Sequence, residues 1–161
     1  MGKTDPAAPV RVVEETPAYW KVIFDYPPFN ILDATIFEGL QDLLVRMNTS
    51  QTLRVVVFES AIPDFYLAHF DLTGKTGNIM TAVGPSGLPI LLDTFVRLTK
   101  SPVVSIAKIR GCVRGGSSEF EWRWHGWRGA RLPSFNAIMS RVVATEAVSP
   151  TPAACESTML R

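Results

Sequence analysis

Polar and apolar residues alternate near the start of the chain, and this pattern predicts a β-hairpin. Residues 10–15 form its first strand, Thr16-Pro17 its turn, and residues 19–26 its second strand. Every second position of the second strand is aromatic or aliphatic: Trp20, Val22, Phe24 and Tyr26. One face of this strand is therefore expected to be buried while the other face meets solvent.

Two later stretches repeat apolar residues at helical spacing, and they predict amphipathic helices. Asp33 is suited to cap the first helix, which runs to about Met47. The second helix covers residues 86–100 and ends before Pro102. The apolar stripe of the first helix contains Ile36, Phe37, Leu40, Leu43, Leu44 and Met47. The stripe of the second contains Leu88, Leu91, Leu92, Phe95 and Leu98.

Two short apolar runs, residues 54–59 and residues 103–109, predict buried strands. Residues 71–85 are rich in glycine and threonine and show little periodicity, so we expect a mobile polar loop there. Strands and helices thus alternate along the chain. This order is typical of an α/β domain.

A glycine-rich segment, residues 111–120, follows the second of these strands. Gly115 and Gly116 allow another group to approach the backbone closely. A helix can begin at Ser117, with Glu119 in its first turn. Unpaired N–H groups at such a helix start point toward a place where negative charge is held. The alternative interpretation is a glycine turn followed by an ordinary first-turn glutamate.

Two further motifs precede this segment. Residues 27–32 are Pro-Pro-Phe-Asn-Ile-Leu, and residues 68–72 are Ala-His-Phe-Asp-Leu. Together with Arg-Gly-Cys-Val-Arg-Gly-Gly-Ser-Ser-Glu-Phe at residues 110–120, they resemble the signatures of the enoyl-CoA hydratase/isomerase (crotonase) family. The resemblance covers about residues 10–120. It implies an α/β, crotonase-like spiral of β-β-α units, of which only the N-terminal part is matched.

By this resemblance, the backbone N–H groups of Phe70 and Gly116 form an oxyanion hole for a coenzyme A thioester that becomes an enolate. Glu119 matches one of the family's two acid/base glutamates and is the expected catalytic residue. The residues expected to bind the substrate are Ala68, Asp71 and Gly115. The implied reaction is hydration or isomerisation of an enoyl-CoA. It needs no metal and no cofactor, because coenzyme A is part of the substrate.

His69 and Phe70 stand where the family frequently has Gly-Ala. Since backbone groups form the hole, this replacement removes no donor, but we expect it to change the shape of the pocket. A histidine without an evident aspartate or serine partner is more often structural than catalytic. The sequence therefore assigns no catalytic role to His69.

Composition and charge restrict the class of protein and the kinds of partner that can be expected. The chain has 161 residues, enough for one domain, and 47% of them are hydrophobic. A formal net charge of +1 gives no reason to expect nucleic acid or an acidic membrane as a partner. Two cysteines, Cys112 and Cys155, make neither a disulfide framework nor a metal cluster. Without an apolar leader or membrane span in the sequence, a cytoplasmic location is expected.

The sequence changes character after residue 120, where Trp122, Trp124 and Trp127 are interleaved with arginine and glycine. Residues 121–161 match no family motif, and the family's second glutamate, commonly in a Pro-Glu pair, is not found. We therefore expect an irregular tail, produced by a frameshift or an altered end. The alternative function is a catalytically inactive fragment that binds acyl-CoA or a protein. Homo-oligomers occur in the family and are less expected for such a chain. Stacking of the tryptophans on single-stranded nucleic acid is a further alternative.

Overall fold

Two β-sheets and two helices make up the part of the chain that the computed structural model describes, residues 8–71 and 77–113. In chain order the elements are β1 (Val10–Thr16), β2 (Tyr19–Phe24), α1 (Ala34–Thr49), β3 (Val55–Ser60), β4 (Phe65–Leu67), α2 (Ile90–Lys100), β5 (Val104–Ala107) and β6 (Cys112–Val113). The predicted hairpin, helices and strands are therefore present, with boundaries shifted by a few residues.

The larger sheet has four strands in the order β1-β2-β3-β5. β1 pairs with β2 in antiparallel fashion, whereas β2, β3 and β5 run parallel to one another. The smaller sheet contains β4 and β6, which are also parallel. β3 and β5 thus enter the larger sheet, and each is followed by a strand that enters the smaller one. This repetition, with a helix after β2 and after β4, confirms the α/β class and the spiral of β-β-α units.

Helix α1 forms as its sequence pattern predicts. The Asp33 side chain accepts hydrogen bonds from the N–H groups of Thr35 (2.9 Å) and Ile36 (3.2 Å) and so caps the helix. All six residues of the predicted stripe are buried against the sheet: Ile36, Phe37, Leu40, Leu43, Leu44 and Met47. Trp20, Val22 and Phe24 of β2 are buried in the same core. Apolar burial of this extent is the main force that holds the helix on the sheet.

The prediction for helix α2 was partly wrong. The helix begins at Ile90 rather than near Ser86. Leu88 is 37% exposed and Leu92 40% exposed, although both belong to the predicted apolar stripe. The buried residues of the helix are Asp93, Thr94, Phe95 and Leu98. The buried face is rotated because polar side chains of α2 find partners on α1, which compensates the cost of their burial.

A polar network at Asp93 joins the two helices to the preceding turn. One Asp93 oxygen accepts a hydrogen bond from Ser86 N–H at 2.8 Å, and the other lies 3.3 Å from both Gln41 Nε2 and Arg97 Nη1. Gln41 also donates to Thr94 Oγ1 at 2.6 Å. Although burial of Asp93 raises its pKa, the hydrogen bonds from Ser86, Arg97 and Gln41 outweigh this effect, so the pKa is lowered from 3.8.

Substituting Asn for Asp93 should therefore make stability less dependent on pH. A carboxyl with a lowered folded-state pKa stabilises the fold above its unfolded pKa and loses that contribution as the pH falls through the folded value. At about pH 7, Asp93→Asn should cost ~1.5–3 kcal/mol, the usual value of hydrogen bonds to a charged group. Urea unfolding at about pH 7 and about pH 3 measures the free energy of unfolding of both proteins, and hence the cost of the substitution at each pH. An equal cost at the two pH values would show that the charge of Asp93 contributes nothing to the stability of the fold.

Candidate functional site

The pairing of β4 with β6 brings two of the sequence motifs together. Phe65 is paired with Cys112 and Leu67 with Val113, and the two strands run in the same direction. The carboxyl ends of β4 and β6 therefore lie at the same end of the small sheet. Phe70 comes three positions after Leu67, and Gly116 comes three positions after Val113.

Close backbone contact is required where the chain enters β6. Gly111 has a φ of +78°, and an added Cβ would lie 2.4 Å from the carbonyl carbon of Asp64. No side chain fits at that distance, so only glycine allows the backbone to pass the turn before β4. Glycine at this position is thus needed for β6 to pair with β4.

The backbone at Phe70 is held on one side by Leu32. Leu32 N–H donates to the carbonyl of His69 at 3.2 Å, and Asp71 N–H donates to the carbonyl of Leu32 at 3.0 Å. In such a parallel bridge the N–H and C=O of the middle residue, here Phe70, point away from the partner strand, here Leu32. Within residues 8–71 and 77–113, no hydrogen bond uses the Phe70 N–H as its donor. This amide is the donor that the resemblance assigned to the oxyanion hole.

The Phe70 side chain anchors the same peptide to the core. Its ring packs edge-on against Phe37 of α1, with ring centres 6.2 Å apart, and Phe37 packs in the same way against Phe95 of α2. The ring is half-buried against the core residues. Phe70 is therefore fixed both through its backbone and through its side chain.

Asn30 links the Phe70 segment to two neighbouring elements. Its side chain accepts from Tyr26 N–H at 2.7 Å and donates to Ser60 Oγ at 2.8 Å and to the Tyr66 carbonyl at 2.9 Å. Its own carbonyl accepts from Ala68 N–H at 3.1 Å. Asn30 is fully buried, and its φ is +55°. It thus holds residues 66–68 against the end of β3.

Comparison with solved structures identifies the fold of the chain. A candidate enoyl-CoA hydratase from Streptomyces avermitilis is 27% identical, with a TM-score of 0.62 over 72% of this chain and 43% of that chain. An enoyl-CoA hydratase from Bacillus anthracis is 22% identical, with a TM-score of 0.60 over 72% of this chain and 45% of that chain. One from Geobacillus kaustophilus is 18% identical, with a TM-score of 0.60 over 74% and 45%.

The chain has a crotonase fold. The comparison confirms the resemblance to the enoyl-CoA hydratase/isomerase family and its restriction to the N-terminal part. The chain spans less than half the length of these solved structures. No family model and no curated protein matches it. In the part of the chain described, neither helix has the length and apolar character needed to cross a membrane.

Several residues predicted for the crotonase site can be located. Ala68 is 1% exposed and Asp71 is 3% exposed, so neither presents its side chain at the surface. Gly115, Gly116 and Glu119 lie outside the described residues, as does the predicted tail. The assignments of the oxyanion hole, the catalytic glutamate and the substrate contacts therefore stay predictions, and so does the domain boundary at residue 120.

A tyrosine and two carboxylates lie beside the Phe70 segment of the crotonase fold. Tyr26 OH donates to Asp33 Oδ2 at 2.9 Å. This hydrogen bond raises the pKa of Tyr26, and desolvation and the negative charges of Asp33 and Asp71 act in the same direction. Sequence patterns gave Asp33 only the role of a helix cap and gave Tyr26 only a place in a strand. The tyrosine therefore serves as a neutral hydrogen-bond donor at neutral pH.

His69 lies next to the candidate donor and is exposed to solvent. Its Nδ1 is 2.8 Å from the carbonyl oxygen of Phe70. Because a carbonyl oxygen only accepts hydrogen bonds, Nδ1 carries the proton. The partner that orients this imidazole is a backbone group, so the sequence search for an aspartate or serine could not find it.

Proposed function

We propose that this chain binds an acyl-CoA thioester and stabilises its enolate through an oxyanion hole formed by the N–H groups of Phe70 and Gly116. The parallel pairing of β4 (Phe65–Leu67) with β6 (Cys112–Val113) is the observation that carries the proposal. Its parallel direction brings the two strand ends to one end of the sheet, and in the sequence each proposed donor comes three residues after its strand.

The chemistry follows from where negative charge develops. When a proton leaves the α-carbon of a thioester, the electron pair moves onto the carbonyl oxygen. Two fixed N–H donors lower the free energy of that oxyanion, and losing one such donor typically costs ~2.7–4 kcal/mol. Glu119 is the proposed group that moves a proton at the α- or β-carbon. Hydration and isomerisation of an enoyl-CoA both proceed through this kind of enolate.

The residues proposed to contact the substrate are Ala68, Asp71 and Gly115. Coenzyme A is part of the substrate, and the proposed reaction requires no metal. Solved structures described as enoyl-CoA hydratases support a thioester as the ligand. An inactive acyl-CoA-binding protein is the second candidate, because the sequence offers one family glutamate rather than two. Binding without turnover would distinguish it from a working enzyme. The proposed location is the cytoplasm, and a homo-oligomer, as found in the family, is less expected for this chain.

Acetoacetyl-CoA should bind the full-length chain about 10–100-fold more tightly than free coenzyme A, because its enolate accepts charge-assisted hydrogen bonds. Phe70→Pro removes the proposed N–H donor and should abolish most of this preference. Phe70→Ala keeps the N–H while removing the ring, so it should retain the preference. Isothermal titration calorimetry measures the affinities, and circular dichroism checks that both variants fold. Equal affinity of the wild-type chain for the two ligands would contradict the proposal.

A further inference from the structure

The imidazole of His69 lies on the same side of the chain as the proposed oxyanion donor. The bridge to Leu32 uses the carbonyl of His69 and the N–H of Asp71, so the N–H and carbonyl of Phe70 face away from Leu32. The Nδ1 of His69 is 2.8 Å from that Phe70 carbonyl. The ring must therefore lie along the edge of the peptide from which the Phe70 N–H also projects.

The same hydrogen bond decides which ring nitrogen is available for chemistry. Nδ1 carries the proton because its partner is a carbonyl, so in the neutral ring Nε2 holds the lone pair. His69 is exposed, which leaves Nε2 accessible to a ligand. A base that is oriented by a second group through its other nitrogen is the arrangement found in proton-transfer sites.

We infer that His69 Nε2 is a proton acceptor for the α-carbon of the thioester held at Phe70. This inference rests on the proposed function, since it needs the thioester oxygen at the Phe70 N–H. The α-carbon is bonded to the carbonyl carbon, so its proton lies next to the group that the Phe70 peptide binds. His69 is thereby a catalytic residue in addition to Glu119, at a position that the sequence left without a role.

The step transfers one proton and creates no net charge. Nε2 takes the α-proton, and the C–H electron pair becomes the carbon–carbon double bond of the enolate. The carbonyl electron pair moves onto the thioester oxygen, which the Phe70 N–H stabilises. The imidazolium then returns a proton to the α-carbon. In heavy water the returned particle is a deuteron, because the imidazolium N–H exchanges with solvent.

Deuterium exchange into butanoyl-CoA tests this inference on the full-length chain. In heavy water, the wild-type protein should incorporate deuterium at the α-carbon, measured by mass spectrometry. His69→Asn retains a donor near the position of Nδ1 for the Phe70 carbonyl but has no basic nitrogen. It should lower the exchange rate by ~10²–10⁴-fold. Its affinity for butanoyl-CoA should stay within about twofold, because the bond that positions the peptide is conserved. His69→Ala should recover part of the rate when imidazole is added.

The outcomes separate this inference from the proposed function. Unchanged exchange in His69→Asn would overturn the role of His69, and so would a wild-type chain that binds butanoyl-CoA without exchanging its α-protons. Both results would leave thioester binding intact. Failure of the wild-type chain to bind any acyl-CoA would contradict the proposed function itself. A rate lost in His69→Asn and rescued by imidazole in His69→Ala would establish the base, because a purely structural residue is not replaced by a diffusing molecule.

Discussion

Substituting Gln for Glu119 should lower the proposed hydratase or isomerase turnover by ~10²–10⁴-fold, the usual contribution of general acid/base catalysis. Glutamine has nearly the same shape as glutamate but cannot exchange a proton. If Glu119 acts only on the reacting proton, kcat should fall while KM changes little, because binding is shared with the backbone donors. Steady-state hydration of crotonyl-CoA, followed by the loss of its ultraviolet absorbance, measures both constants.

Glu121→Gln provides a matched control, since Glu121 lies two positions further along the chain and outside the matched motif. It makes the same change of charge and should leave turnover unaltered. An unchanged rate in Glu119→Gln would transfer the role to another residue. If the wild-type chain binds crotonyl-CoA but does not hydrate it, the second candidate, an inactive acyl-CoA-binding protein, is the correct interpretation.

The sequence predicted the elements whose burial is governed by apolar side chains. Helix α1 (Ala34–Thr49) carries one uninterrupted apolar stripe and a side chain suited to capping, so local pattern and tertiary packing favour the same structure. The strands β3 (Val55–Ser60) and β5 (Val104–Ala107) begin in largely apolar runs, and their buried residues alternate with less buried ones, as expected for strands with one face on the core. The three motifs, taken in their order along the chain, then indicated the fold that these elements form.

Helix α2 (Ile90–Lys100) shows where this reasoning fails. Its pattern predicts that Leu92 is buried and Asp93 exposed, yet Asp93 has no exposed surface and Leu92 is 40% exposed. The reason is a partner outside the helix, because Gln41 of α1 and Ser86 of the preceding turn satisfy the Asp93 carboxylate. A periodicity argument considers one element at a time and cannot include hydrogen bonds between residues far apart in sequence.

The candidate site was only partly predictable, because hydrogen bonds between residues far apart in sequence also hold it together. The motifs placed Phe70 at a strand exit, but they did not indicate which groups hold its peptide in position. Asn30 lies two positions after a pair of prolines, and asparagine commonly occurs in turns and tolerates positive φ. Its contacts with Ser60 and Tyr66 depend on β3 and β4 coming together, so they emerge only from the assembled fold.

Asn30→Ala should therefore be one of the most destabilising substitutions in the chain. It removes the acceptor of Tyr26 N–H and the donor to the Tyr66 carbonyl, and leaving buried polar groups unpaired costs ~1–3 kcal/mol each. Alanine is also strained at a φ of +55°. We expect a total loss of about 3–5 kcal/mol in the free energy of unfolding, measured by urea denaturation.

Two further variants separate these causes. Asn30→Gly removes the same hydrogen bonds but relieves the backbone, so it should be more stable than Asn30→Ala by about 1 kcal/mol. Asn48→Ala makes the same change at an exposed position of α1 and should alter stability by no more than ~0.5 kcal/mol. Because Asn30→Ala removes the side-chain hydrogen bonds to Ser60 and to the Tyr66 carbonyl, it should speed amide exchange in the segment that presents Phe70. Wild-type stability and unchanged exchange in Asn30→Ala would show that the Phe70 peptide is positioned by the Leu32 bridge alone.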